Sequence, residues 1–203
     1  MTLGDCKRKA LELIFQYSIA GTAIPSSYNN QADYINRIPN LVNSAQTEIA
    51  VTVKPIQTTK AVSALTPDPV PLGGRTVHVL PADCFRVMDG GLLRVLPEGI
   101  VRTKNYRLLY GNRIVIFEND LSDMILEYLR YPTALTAASA DTAELDNTPD
   151  AQECVPYYVA AHLVLYDDPY RYSALYNEYL RRIAQLRHQT IYESNLIRNE
   201  YGS

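Results

Sequence analysis

The chain has 203 residues, 47% of them hydrophobic and 20% charged, and a formal net charge of −3. That allows one substantial core, or one core with an appended lobe, and it excludes wholesale disorder. The slight acidity also lacks the basic surplus of a dedicated nucleic-acid binder.

The first helix is predicted from the N-terminus onward. Thr2 and Asp5 make a T-x-x-D capping box, and Cys6, Ala10, Leu13 and Tyr17 recur at helical spacing with Lys7, Arg8 and Lys9 on the outer faces. Gly21 and the Pro25-Ser26-Ser27 stretch read as a stop and a loop. A second helix spans roughly 31–50 on a seam of Ile35, Ile38, Val42, Ala45 and Ile49, with a kink expected at Pro39.

Past residue 50 the period changes to two. Residues 55–75 read as an extended Pro-, Thr- and Gly-rich loop, followed by a meander of five or six short strands between Thr76 and Tyr131. Asp89-Gly90-Gly91 and Gly111-Asn112 are predicted hairpin turns. Residues 133–150 are small, polar and acidic, which predicts a surface loop. A third helix runs from about Asp150 to Leu165, and Asp167-Asp168-Pro169 ends it. A fourth, over about 170–188, carries Tyr172, Tyr176, Tyr179, Ile183 and Leu186.

The predicted fold class is therefore α+β: a four-helix bundle built from the two chain ends (1–51 and 133–188), with an antiparallel β lobe inserted over 52–132. A C-terminal arm, 189–203, follows it.

Little here points to chemistry. His78, His162 and His188 have no Asp, Glu or Cys at ligand spacing, and neither a P-loop, a G-x-S-x-G nor a G-x-G-x-x-G occurs. Cys6, Cys84 and Cys154 are far apart, without CxxC or Cys/His spacing, so they suggest a reducing compartment and no zinc site. The expectation is a non-enzyme without catalytic residues, metal or cofactor. The opening MTLGDCKRKALELI has charges where a signal peptide needs an apolar run, and no segment approaches ~20 apolar residues. Synthesis in a cytoplasm, with no membrane partner, is expected.

Two features point to assembly. The chain has 16 Tyr, 3 Phe and no Trp, and tyrosine suits surfaces that a partner buries. Residues 55–117 hold eight basic and four acidic side chains, whereas 118–154 hold nine acidic and one basic. Such blocks could form complementary faces of neighbouring subunits, with Arg102, Lys104 and Arg107 set against Asp120, Asp123 and Glu127.

Three stretches carry a family resemblance: MTLGDCKRKALELI with DYINRIPNLVNSAQTEIA; LPADCFRV, Leu80 to Val87; and YLRYPTALT with PYYVAAHLVLYDDPYRYSALYNEYLRRIAQL. In this order, across nearly the whole chain, they resemble the head-to-tail connector (adaptor) proteins of tailed bacteriophages, of the tail tubular protein A or first head-completion type. The resemblance implies a homo-oligomeric ring, usually dodecameric, docked beneath the portal protein. A downstream neck or tail protein would bind below, and genomic DNA would pass through the centre without sequence-specific binding. The protein would assemble in the host cytoplasm and end in the virion. The family's C-terminal arm reaches the portal, which here makes Ile191, Tyr192, Leu196, Ile197 and Tyr201 the portal-docking candidates. Since a sliding genome needs a wall without a grip, the acidic 118–154 region is the expected channel lining. The alternatives are another neck component, such as a more strand-dominated stopper or tail terminator, and a small DNA-binding protein.

Overall fold

The computed structural model describes the backbone of residues 1–14 and 29–201 and the side chains of 1–14 and 32–189. The predicted stop at Gly21, the loop at Pro25-Ser26-Ser27 and the seam position Tyr17 lie outside the described residues. The chain divides into two compact units, residues 1–55 with 132–203 and residues 56–131.

In the first unit, α1 (Leu3–Leu13) starts at the predicted capping box. The Thr2 hydroxyl accepts from the Asp5 N–H at 3.1 Å, and the Asp5 carboxylate accepts back from the Thr2 N–H at 3.3 Å. Helix α2 (Asn29–Thr52) continues through Pro39, and Ile38, Val42, Ala45 and Ile49 are fully buried. The single helix expected near 150–165 is instead α3 (Pro149–Gln152) and α4 (Val155–Val164). Pro156 has no N–H for the Gln152 carbonyl and its ring crowds that group, so the ladder restarts there. Helix α5 (Pro169–Tyr201) begins where Asp168 accepts the Arg171 N–H at 3.0 Å, and it runs well past the expected end at 188.

Helix α4 is buried on most of its surface, and α1, α2 and α5 all pack against it. Lys7, expected on an outer face, is buried, and its ammonium lies 2.7 Å from Asp141. The acidic segment expected as a free surface loop is strapped to this unit. The Leu3 and Gly4 amides donate to the Ala143 and Asp141 carbonyls, both at 2.8 Å, and Leu135 and Leu145 are buried. Asn43 of α2 holds Leu135 twice, donating to its carbonyl at 2.7 Å and accepting its N–H at 2.8 Å.

The second unit contains β1 (Ile56–Ala61), β2 (Thr66–Pro67), β3 (Val77–Val79), β4 (Cys84–Leu96), β5 (Gly99–Thr103), β6 (Tyr106–Leu109), β7 (Arg113–Ile116) and β8 (Met124–Arg130). They form two antiparallel four-stranded sheets, ordered β1-β8-β4-β5 and β2-β3-β7-β6. Val62, Leu65, Leu92, Ile114, Ile116, Met124 and Leu126 are core residues of this unit.

These sheets overturn the predicted four-helix bundle with a β lobe. Among the described residues the chain is α+β, with four longer helices, one single-turn helix and eight strands in two full sheets. The strands are a major layer with an interior of their own, not a small insert. Nor are they a five- or six-strand meander, because β1 and β8, first and last in sequence, are neighbours. The predicted 55–75 loop holds β1, a 3-10 turn at Val62–Ala64 and β2.

Gly111-Asn112 does turn the chain between β6 and β7, with φ of 82° and 58°. Asp89-Gly90-Gly91 does not make the predicted hairpin; it lies inside β4 as a bulge. The ladder to β8 slips between Val87↔Tyr128 and Leu92↔Leu126. Gly90 has φ 62°, and a Cβ on Gly91 would sit 2.5 Å from the Glu127 carbonyl oxygen. Glycine serves close backbone approach here.

Candidate functional site

Several charges of the two blocks, most of them acidic, are paired within the subunit. Lys7 binds Asp141 at 2.7 Å, Lys54 binds Asp150 at 2.6 Å, and Lys9 binds Glu153 at 2.9 Å. In the β unit, Arg94 meets Glu118 at 3.0 Å. Glu118 also accepts from Asn105, which with Arg94 holds its carboxyl below the usual range.

Of the six interface candidates, Arg102 and Glu127 are brought together in the same chain, with Arg102 Nη1 3.0 Å from Glu127 Oε2. Glu127 is buried and also accepts from the Gln57 side-chain amide. The pair therefore ties β5 to β8 and, through Gln57, to β1. Lys104, Arg107, Asp120 and Asp123 are exposed. Asp120 accepts from the Ser122 N–H at 3.0 Å and hydroxyl at 2.7 Å, and these bonds lower its pKa. The portal-docking candidates Ile191, Tyr192, Leu196, Ile197 and Tyr201 fall on the helical backbone of α5, and their side chains lie outside the described residues.

A groove of about 500 Å³ lies where α1, α4 and α5 meet, lined by Lys9, Glu12, Leu13, Glu153, Pro156, Tyr157 and Arg182. The Arg182 guanidinium sits 4.1 Å from the Tyr157 ring centroid and donates to the Tyr157 hydroxyl at 3.0 Å and to Glu178 at 2.8 Å. Two hydrogen bonds from Arg181 and one from Arg182 hold Glu178 down at about 2. Its paired ions and apolar floor suit protein packing. Sequence reading missed this groove because its residues come from three separate helices; the one local signal was Glu178 with Arg181 and Arg182 at helical spacing.

The tyrosines divide by role. Tyr179 is fully buried, and burial, reinforced by nearby Glu48, raises its phenol pKa strongly. Tyr110, Tyr166 and Tyr170 are 96%, 84% and 91% exposed. His162 stacks on Tyr158 at 4.0 Å and meets Tyr172 and Tyr176 edge-on, so it is part of an aromatic cluster. Asp167 accepts from the Tyr34 hydroxyl at 2.8 Å, while Asp168 caps α5, so the two adjacent carboxylates are separately employed. His78 is buried in β3, and burial lowers its pKa.

Among the described residues, no three His, Cys, Asp or Glu side chains are grouped to hold a metal ion, and no helix is long and apolar enough to cross a membrane. No protein-family model matches the chain, and no curated protein matches it either.

Proposed function

We propose that the protein is a structural adaptor subunit, assembling into a ring beneath a phage portal, joining capsid to tail and forming part of the DNA channel. The supporting observation is the reach of α5. Its 33 residues span about 50 Å at 1.5 Å each, while Leu186 is the last of its described residues that is buried. Arg187, His188 and Gln189 are exposed, and the helical backbone continues for twelve more residues through a sequence containing Ile191, Tyr192, Leu196, Ile197 and Tyr201. A helix whose last described side chains are exposed and whose sequence then turns apolar suits an arm that engages another protein. The sequence resemblance supplies the identity of that protein as a portal.

The test is native mass spectrometry of the full chain alone and with its candidate portal. The adaptor reading expects a ring of many copies that forms on or binds to the portal. A chain that stays monomeric and ignores the portal would overturn it. The two four-stranded sheets favour a second reading, a strand-rich neck component such as a stopper or tail terminator, which would bind the tail-side partner and leave the portal alone.

A further inference from the structure

In the β unit, β5 pairs with β4 only over Leu92–Leu96, so among the described residues the outer edge of β4 from Cys84 to Asp89 has no neighbouring strand. Strand β6 pairs with β7 alone, and its other edge is likewise open. These two edges border one groove of about 280 Å³. Its walls include consecutive residues, Cys84 through Val87 on one side and Leu108-Leu109 on the other. Side chains alternate across a regular strand, so the successive residues Leu108-Leu109 place the groove at the edge of β6, where backbone N–H and C=O groups lie; opposite it, β4 is bulged at Phe85, which the ladder to β8 skips. The Tyr106 hydroxyl reaches the Met88 carbonyl at 3.4 Å, and the Leu80 N–H donates to the Asn112 carbonyl at 2.9 Å.

The floor is apolar, with Leu80, Cys84 and Val87 buried, while Leu108 is 48% exposed on the wall. Arg86 and Arg113 are the charged side chains lining it; Arg113 is already paired with Asp68 at 3.4 Å, which leaves the exposed Arg86 to face the groove. Neither edge carries a proline or a lysine in Cys84–Asp89 or Tyr106–Leu109, although β4 is bulged there and Arg86, Asp89 and Arg107 are charged.

We propose that the slot between β4 and β6 is a docking site for an extended segment of a partner protein, one that alternates apolar and acidic residues and adds as a strand along β6. Backbone pairing would supply the register, Leu108 and the apolar floor would take every second side chain, and the exposed Arg86 would receive a carboxylate. The proposal goes beyond the adaptor reading and stands without it.

The test uses the full chain and three blocked pentapeptides: Val-Glu-Val-Glu-Val, its Lys-for-Glu analogue, and the Glu peptide with N-methylated backbone amides. Backbone amide resonances are followed by two-dimensional NMR. The Glu peptide should shift the amides of residues 84–87 and 107–109, and the other two peptides should not. Arg86→Ala, at an exposed position, should keep the dispersed spectrum and weaken binding roughly fivefold, and Leu108→Asp should abolish it. The proposal is overturned if the Glu peptide shifts nothing or shifts other regions, or if the Lys or N-methyl peptide binds equally well. Shifts at these residues on raising the protein concentration alone would make a second copy the occupant and overturn it too.

Discussion

Arg102 of β5 reaches Glu127 of β8 by passing over the glycine pair of β4, donating to the Gly90 carbonyl at 3.2 Å on the way. The bulge and the ion pair adjoin each other: a Cβ on residue 91 would press against the β8 backbone, and one on residue 90 would rest against the Arg102 stem at 3.7 Å. Removing the guanidinium by Arg102→Ala leaves a buried carboxylate held by Gln57, and should cost about 1–3 kcal/mol. Gly91→Ala places a Cβ 2.5 Å from the Glu127 carbonyl oxygen, and should cost about as much or more. Urea unfolding checks both, and an unchanged midpoint for Gly91→Ala would show the close approach to be dispensable.

Acid should weaken the β unit through His78. Its ring is buried, and burial outweighs a backbone contact with Leu65 in lowering its pKa from the ordinary 6.5. The unfolded chain then takes up a proton near pH 6.5 that the folded chain resists. Stability is full above that pH and falls as pH drops through it. The urea midpoint should decline between pH 7.5 and 5, and His78→Leu should flatten the decline. A parallel decline in both proteins would assign it to other groups.

Asn43 should be a sensitive position on α2. Asn43→Ala removes both bonds to Leu135 and should destabilise the helical unit by about 1–3 kcal/mol. Asn43→Asp keeps the acceptor and loses the donor, so its loss should be smaller. Denaturant midpoints for the pair report whether the segment after Pro132 is held from α2.

Deleting residues 189–203 should leave the folded subunit intact, because Leu186 is the last buried side chain described on α5. Helical signal should fall by about the deleted turns, with little change in Tm. Under the adaptor reading, the truncated chain should no longer bind portal in a pull-down, and full binding would move the docking surface to the rest of the molecule.

The Cys6 and Cys154 thiols should be inert while the chain is folded. Burial pushes Cys6 up to about 12 and Cys154 up to about 11, and neither is more than 3% exposed. Iodoacetamide at pH 8 should spare both until denaturant is added, and rapid labelling of the native protein would contradict their burial.

What was legible in the sequence is what local physics encodes. The Thr2–Asp5 box and the Ile38–Ile49 seam depend on spacing alone, and both are found where expected. Gly90-Gly91 misled because a glycine pair permits a turn and a bulge equally, and the choice is made by Glu127, some 36 residues away. Strand β1 went unread although its burial alternates, because Gln57, Thr58, Thr59 and Lys60 give little hydrophobic contrast. Lys7 looked like an outward charge until Asp141 was folded against it. Of the candidate interface charges, Arg102 and Glu127 met the same fate, while Lys104, Arg107, Asp120 and Asp123 stay exposed.

The pairing of β1 with β8 sets Ile56 beside Arg130, so the first and last residues of the β unit stand one strand apart. Two antiparallel partners have Cα atoms only about 5 Å from each other, a gap that a very short linker spans. The unit therefore has the geometry of a cassette: its entrance and exit share a doorway, and changes of length inside it need not move the chain outside. A lineage could swap, shorten or enlarge what lies between residues 56 and 131 while the helical residues keep their register. An engineer could do the same by joining Pro55 to Pro132 through a few glycines.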